Sequence, residues 1–190
     1  MTTRRNKTHP VAPNRLKRNF EADCPNKVWL SDITYIWTEQ GWPYLAVMMD
    51  LYSRRIFAWA MSDRITSELM MKALRMALKQ REVQLGLIHH SEQGSQYTDS
   101  RYQQLFKDWR IQAGVKGVGA WYDNAPVESF FATLKTERVR RRAYRTRAEA
   151  RVDIFSYIED FCNRRRIHTA LGSVSPLAYE QSCHDGAGVP

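Results

Sequence analysis

Three runs of apolar, β-branched and aromatic residues lie close together in the first third of the chain. The connections between them are too short for anything but an antiparallel meander. Residues 28–37 read Val-Trp-Leu-Ser-Asp-Ile-Thr-Tyr-Ile-Trp, types that suit a pleated, half-buried surface, and they precede the turn signal Glu39-Gln40-Gly41. A second strand is expected over about 44–51 and a third over about 55–61, beyond Tyr52-Ser53-Arg54. Parallel neighbours need a crossover of a dozen or more residues, so these three strands must pair antiparallel. From Thr66, a candidate N-cap, the apolar residues Met70, Ala73, Leu74, Ala77 and Leu78 recur at helical spacing. They predict a helix to about Arg81 that covers the sheet. A short strand at 86–90, a helix over 98–110 with Tyr102, Leu105, Phe106 and Trp109 on one face, and a strand at 111–115 then complete a β-α-β crossover. Two helices follow, at about 125–140 and 147–165. The second carries an apolar stripe of Ala150, Ile154, Tyr157, Ile158 and Phe161, and the tail beyond it reads as loop. The expected class is α/β, with three antiparallel strands plus two parallel strands flanked by helices.

With 190 residues and 43% hydrophobic content, one sizeable core is expected. Residues 1–24 form a basic arm, with Arg4, Arg5, Lys7, Arg15, Lys17 and Arg18 and no acid before Glu21. Residues 25–145 form the core, 146–181 a C-terminal helix and tail packed on it, and 182–190 a disordered end. Twenty-nine Lys and Arg against 20 Asp and Glu give a net charge of +9. The partner this favours is a polyanion, with nucleic acid first, because cations facing phosphates release condensed counterions. The basic density peaks at Lys135, Arg138, Arg140, Arg141, Arg142, Arg145 and Arg147. With Arg164, Arg165 and Arg166 it predicts a long cationic surface, to which His168 adds a candidate phosphate contact. No run of 18 apolar residues occurs and the basic start is not followed by an apolar segment, so neither membrane insertion nor secretion is signalled, and a cytoplasmic location is expected. Cys24, Cys162 and Cys183 have no pairing pattern and suggest neither a disulfide framework nor a zinc site.

Three acids stand out. Asp32 interrupts an apolar strand on the same face as Leu30, Thr34 and Ile36, where a carboxylate is costly unless paired or metal-bound. Glu92 directly follows the short strand ending in His90-Ser91, and ligands commonly lie at the carboxyl ends of sheet strands. Glu128 falls in the first turn of a helix with Asp123 or Asn124 as N-cap and Pro126 in a tolerated position. Lys135 lies seven residues on, about 10 Å along the same helix face. Such acids can converge on hard, oxygen-seeking cations of the kind that serve phosphodiester chemistry. Asp50 reads instead as a turn acceptor or a partner for Arg54 or Arg55, and His89 and His90 as residues on opposite faces of a strand.

The segments "WLSDITYIWTEQGWPYLAVMMDLYSRRIFAWAMS", "IHHSEQGSQYT", "YDNAPVESFFATLKTE" and "FCNRRRIHTALGSVSPLAYE", in this order, closely resemble the catalytic core of bacterial insertion-sequence transposases in the retroviral-integrase superfamily. The resemblance runs from about residue 10 to 181. It implies a ribonuclease-H-like fold and a DDE-type site in which Asp32, Glu92 and Glu128 bind two Mg²⁺ (or Mn²⁺) ions for DNA strand cleavage and transfer. It also implies that Lys135 holds element-end DNA. The expected partners are double-stranded DNA, further copies of the chain in a homo-oligomer, and a separate helix-turn-helix module on an upstream frame or another chain. Two positions depart from the family pattern. The second acid is Glu92 followed by Gln93, where the family ordinarily has Asp-Arg, and Gly117-Val118-Gly119-Ala120-Trp121 replaces a more polar string. An added methylene moves a carboxylate by about 1 Å, and misplacement on that scale costs about 10²-fold in rate. Three readings stay open: a strand-transfer enzyme, a degenerate remnant that only binds DNA or partner subunits, and a general nuclease of the same fold.

Overall fold

Period-two alternation gives β1 (Val28–Tyr35) two inward faces, so the strand is covered on both sides and sits in the middle of its sheet. The computed structural model describes Leu16 and residues 21–91, 99–115 and 124–184. β1 pairs antiparallel with β2 (Tyr44–Asp50), and β2 with β3 (Ile56–Ser62). On its other side β1 pairs parallel with β4 (Ile88–Ser91), which pairs parallel with β5 (Gln112–Val115). The order β3-β2-β1-β4-β5 is the meander plus crossover expected from the sequence. Trp29 and its face pack with Met48 and Phe57 under α1 (Ser67–Gln80) and α2 (Ser100–Asp108). Leu30, Leu45 and Val47 point the other way, against α3 (Ala125–Glu137) and α4 (Arg147–Ser156). On α3 the buried residues are Val127, Phe131 and Leu134, spaced i, i+4, i+7 as one helical stripe requires. Truncating Phe131 to Ala there would cost about 3–5 kcal/mol.

Several details differ from the expectation. Phe161 and Trp109 belong to predicted apolar faces yet are exposed. α4 ends at Ser156 and continues as a π turn, Tyr157–Cys162. The wider turn carries Asn163 to the start of β3, where its amide donates to the Ile56 carbonyl at 2.8 Å and accepts from the Ile56 N–H at 3.0 Å. The tail is not loop throughout, because α5 (Pro176–His184) follows Ser175, whose hydroxyl accepts from the Ala178 N–H. Serine before proline is a helix-start signal that a loop reading passes over. α5 is fastened by Glu180, which is buried and meets Arg55 and Arg81, both at 2.8 Å, and the Ser53 hydroxyl at 2.7 Å. Within the stretch read as a basic arm, Leu16 is buried in the α3-side core, and the arm's cations lie outside the described residues.

Candidate active site

Among the described residues β4 pairs with β1 from Val28 to Ser31. Asp32 is the next residue of β1 past that described pairing. Clefts at the carboxyl ends of parallel strands are where α/β sheets present ligand sites. Asp32 is half-buried, and its Oδ1 accepts from the N–H of Ile33 at 2.7 Å. Glu92 lies outside the described residues, although Ser91, which it follows, pairs with Ser31, which Asp32 follows.

α3 is held to β1 at two points. At its start the buried Asn124 donates from Nδ2 to the Ser31 carbonyl at 3.3 Å. Of the two candidate N-caps, Asp123 lies outside the described residues and Asn124 sits at the N-cap position, with its amide directed to the sheet and not to its own helix. Two turns on from Glu128, the Lys135 ammonium lies 4.6 Å from the centre of the Tyr35 ring, at the end of β1. Burial pulls the Lys135 pKa down and the charge of Arg140 adds to this, while Asp32 pulls it back up. The two attachments, at Ser31 and Tyr35, bracket Asp32. Glu128 is exposed in the first turn of α3. Among the described residues no group of three or more His, Cys, Asp or Glu is placed to hold a metal ion.

The expected cationic surface divides in two. Arg138 and Arg142 both pair with Asp153, at 3.5 and 2.8 Å, and Arg166 pairs with Glu137 at 2.7 Å. Glu137 and Asp153 also accept from the hydroxyls of Tyr157 and Tyr144. These guanidinium groups serve the packing of α3 against α4. Arg141, Arg164 and Arg165 are exposed and form no ion pair among the described residues. His168 is half-buried, and burial together with the charges of Arg166 and Arg54 lowers its pKa. It shares with those two arginines the wall of a cavity of about 480 Å³ behind α3.

The remaining titratable groups near the sheet are structural. Asp50 accepts from the N–H groups of Asn26, Tyr52 and Ser53, the turn role its position suggested. His89 is buried against Tyr102 and Phe106, and burial, with the neighbouring His90, pushes its pKa down to about 3. His90 faces the opposite layer, in register with Leu30.

An integrase core domain model matches residues 22–119, just over half of the chain, and a second integrase core domain model matches residues 128–183. The chain is 44% identical over 186 residues to the insertion element IS600 uncharacterized 31 kDa protein of Shigella sonnei, covering 98% of this chain and 68% of that protein. It is 44% identical over 169 residues to the transposase for insertion sequence element IS904 of Lactococcus lactis, covering 89% of this chain and 67% of that one. Among solved structures, the simian T-cell lymphotropic virus intasome in complex with the B56 gamma subunit of PP2A contains a chain that superposes with a TM-score of 0.69 at 17% identity, over 94% of this chain and 61% of that one. The HTLV-2 integrase catalytic core in complex with magnesium superposes with a TM-score of 0.62 at 14% identity, over 84% and 99% of the two chains. At such identities the superpositions establish the fold, which is ribonuclease-H-like.

Proposed function

The chain belongs to the integrase core family of insertion-sequence transposases, DDE-type polynucleotidyl transferases, and from that premise we propose that it is a competent catalytic subunit, cutting and joining DNA at element ends with Asp32, Glu92 and Glu128. The observation that supports this is the double attachment of α3 to β1 on either side of Asp32, which brings the helix of Glu128 and Lys135 to the strand that carries Asp32. The donor set fits divalent ions. Asp32 and Glu128 offer hard carboxylate oxygens, and the two histidines nearest in sequence to Glu92 are buried within the sheet layers. Asp32, Glu92 and Glu128 would hold two Mg²⁺ or Mn²⁺ ions, which when bound would activate the attacking oxygen and stabilise the departing one.

The protein's own part is positional. In cleavage a water oxygen, and in strand transfer the hydroxyl oxygen of a DNA 3′ end, bonds to phosphorus and gives up its proton while the opposite P–O bond to a 3′ oxygen breaks and that oxygen takes a proton. The residues must hold that phosphodiester in line. Asp32 stands on a central strand and Glu128 on a packed helix, so the backbone at both positions is fixed before substrate arrives and only side-chain rotamers remain to be set. Lys135, partly withdrawn from water over Tyr35, is placed to take a phosphate of the strand end. Arg141, Arg164 and Arg165 supply charge for double-stranded DNA further out. A homo-oligomer holding two ends, a separate helix-turn-helix subunit, and a place in the bacterial cytoplasm at the nucleoid complete the reading.

Glu92 in the place of an aspartate favours one alternative, a remnant that binds but does not cut. Mg²⁺- or Mn²⁺-dependent cleavage and joining on a pre-branched DNA substrate separates the two. The expected outcome is activity in the natural protein and none in Glu128→Gln. Activity restricted to Glu92→Asp would identify a disabled transposase on an intact scaffold. Activity that survives Glu128→Gln would sink the site assignment, and cutting without joining would mark a nuclease.

A further inference from the structure

The hairpin joining β1 to β2 carries large rings turned to solvent beside the proposed site. Tyr35 is 53% exposed, Trp37 43% and Trp42 52%. Rings of this size are ordinarily buried for most of their area, and a cluster left outside asks for an occupant. The rings are held firmly. Thr38 and Gly41 exchange backbone hydrogen bonds of 3.1 and 3.0 Å, the Thr38 hydroxyl donates to the Gly41 carbonyl at 2.7 Å, and the Ile36 N–H donates to the Pro43 carbonyl at 2.9 Å. Gly41 sits at φ +108, a conformation that disfavours any side chain. Tyr35 and Trp42 meet edge to face, with centroids 5.3 Å apart and planes at 77°, and the Lys135 ammonium lies over Tyr35.

We infer that the exposed ring of Trp42, braced edge to face by Tyr35, takes an unpaired base of the DNA strand end by stacking, with Lys135 over Tyr35 taking the adjoining phosphate. The proposal rests on the strand-transfer reading above and names the part of the substrate it engages. Charge and shape select this occupant. Flat rings with exposed area suit a base of any sequence, and an ammonium on the same ring pair suits a phosphate within one nucleotide of that base. Tyr35 ends the strand that carries Asp32, so a base held there keeps its own DNA strand close to Asp32. A duplex would give up a terminal base pair to stack there, whereas a strand with an unpaired end would not.

The test is fluorescence anisotropy without divalent metal, using a short blunt duplex and the same duplex with a single-stranded 3′ extension. The natural protein should prefer the extended probe. Tyr35→Ala and Trp42→Ala should each lose roughly tenfold on that probe and less than about threefold on the blunt one, and Trp42→Phe should keep most of the preference. Equal losses on both probes, no loss on either, or a natural protein without preference would overturn the proposal. Sedimentation velocity supplies a second readout: a change of subunit number in Trp42→Ala with DNA binding intact would assign the rings to a second copy of the chain. Because the assay contains no metal, a failed cleavage experiment leaves its outcome unaffected, and an active enzyme without ring-dependent preference would sink this inference alone.

Discussion

Asp32 and Asp50 are aspartates on adjacent central strands of one sheet, and their surroundings are opposite. Asp50 ends β2 opposite Trp29, fully buried, with backbone N–H groups of Asn26, Tyr52 and Ser53 directed at its two oxygens. Desolvation raises its pKa in spite of those donors and of Arg81. Asp32 lies three positions along β1 from Trp29, half-buried just past the described pairing with β4, in the field of Lys135. A carboxylate surrounded by backbone donors fixes a turn; the proposed reading gives the half-buried one beneath α3 to the substrate. Exchanging oxygen for nitrogen in each should therefore give opposite phenotypes. Asp32→Asn is expected to reduce strand transfer on the order of 10³-fold while the melting temperature moves by less than about 2 °C. Asp50→Asn would turn an amide donor toward N–H donors, costing about 2 kcal/mol, or roughly 4–8 °C, with turnover per folded molecule retained. Thermal melts and the branched-substrate assay on both variants decide it; an unstable Asp32→Asn or an inactive, stable Asp50→Asn would break the contrast.

The Asp50 corner contains a second acid whose removal sharpens the comparison. Burial raises the Glu180 pKa, but the hydrogen bond and charge of Arg81, with Ser53 and Arg55, outweigh it and leave the group below its ordinary value. A carboxylate with a depressed folded-state pKa contributes stability above its unfolded pKa and loses it as pH falls through the folded one. Asp50, with a raised pKa, has the opposite sign: its penalty is relieved as pH falls. Glu180→Gln should cost about 2 kcal/mol at neutral pH, since it leaves the nearly buried Arg81 side chain and the partly exposed Arg55 without the carboxylate that both meet. The deficit relative to the natural chain should shrink below pH 4.5, where the lost interaction was already weakening. Urea melts at neutral and acid pH measure this. A constant deficit across that range would mean that Glu180 acts by packing and not by charge.

The sheet was legible because its signals are local. Connections of a few residues force the meander, Asp32 stands out against Leu30 and Ile33, and the Glu128 helix announces itself through Pro126. What escaped is long-range. Glu180 meets Ser53 across 127 positions and Arg55 across 125, and Asn163 meets Ile56 across 107. No periodicity encodes such a pairing, so a helix held by one buried carboxylate reads as loop. Asn124 takes the N-cap position that its type suits, but the contact of its side chain was not legible: its amide goes to the Ser31 carbonyl, 93 positions away in sequence. The exposed ring of Tyr35 was hidden inside a strand pattern that expects aromatic residues to be covered, and Trp42 fell in the connection between two expected strands, where no pattern drew notice to it.

The cations extend the contrast between charges that serve the fold and charges that serve the site, with the smallest expected effects. Composition counts Arg142 and Arg164 equally, yet Arg142 meets Asp153 at 2.8 Å while Arg164 is exposed without an ion pair among the described residues. A guanidinium already paired releases few counterions when DNA approaches, because its charge is balanced beforehand. Arg164→Ala, or Arg165→Ala, should weaken duplex binding roughly fivefold at about 0.15 M salt and lower the slope of log K against log salt by about 1. Arg142→Ala should leave both within about twofold and change stability by less than about 1 kcal/mol, because its ion pair is half-exposed. Salt titrations of DNA binding compare the variants directly. An Arg142→Ala slope as reduced as that of Arg164→Ala would show that the pair with Asp153 opens on DNA, and the α3–α4 junction would then belong to the binding surface rather than to the scaffold beneath it.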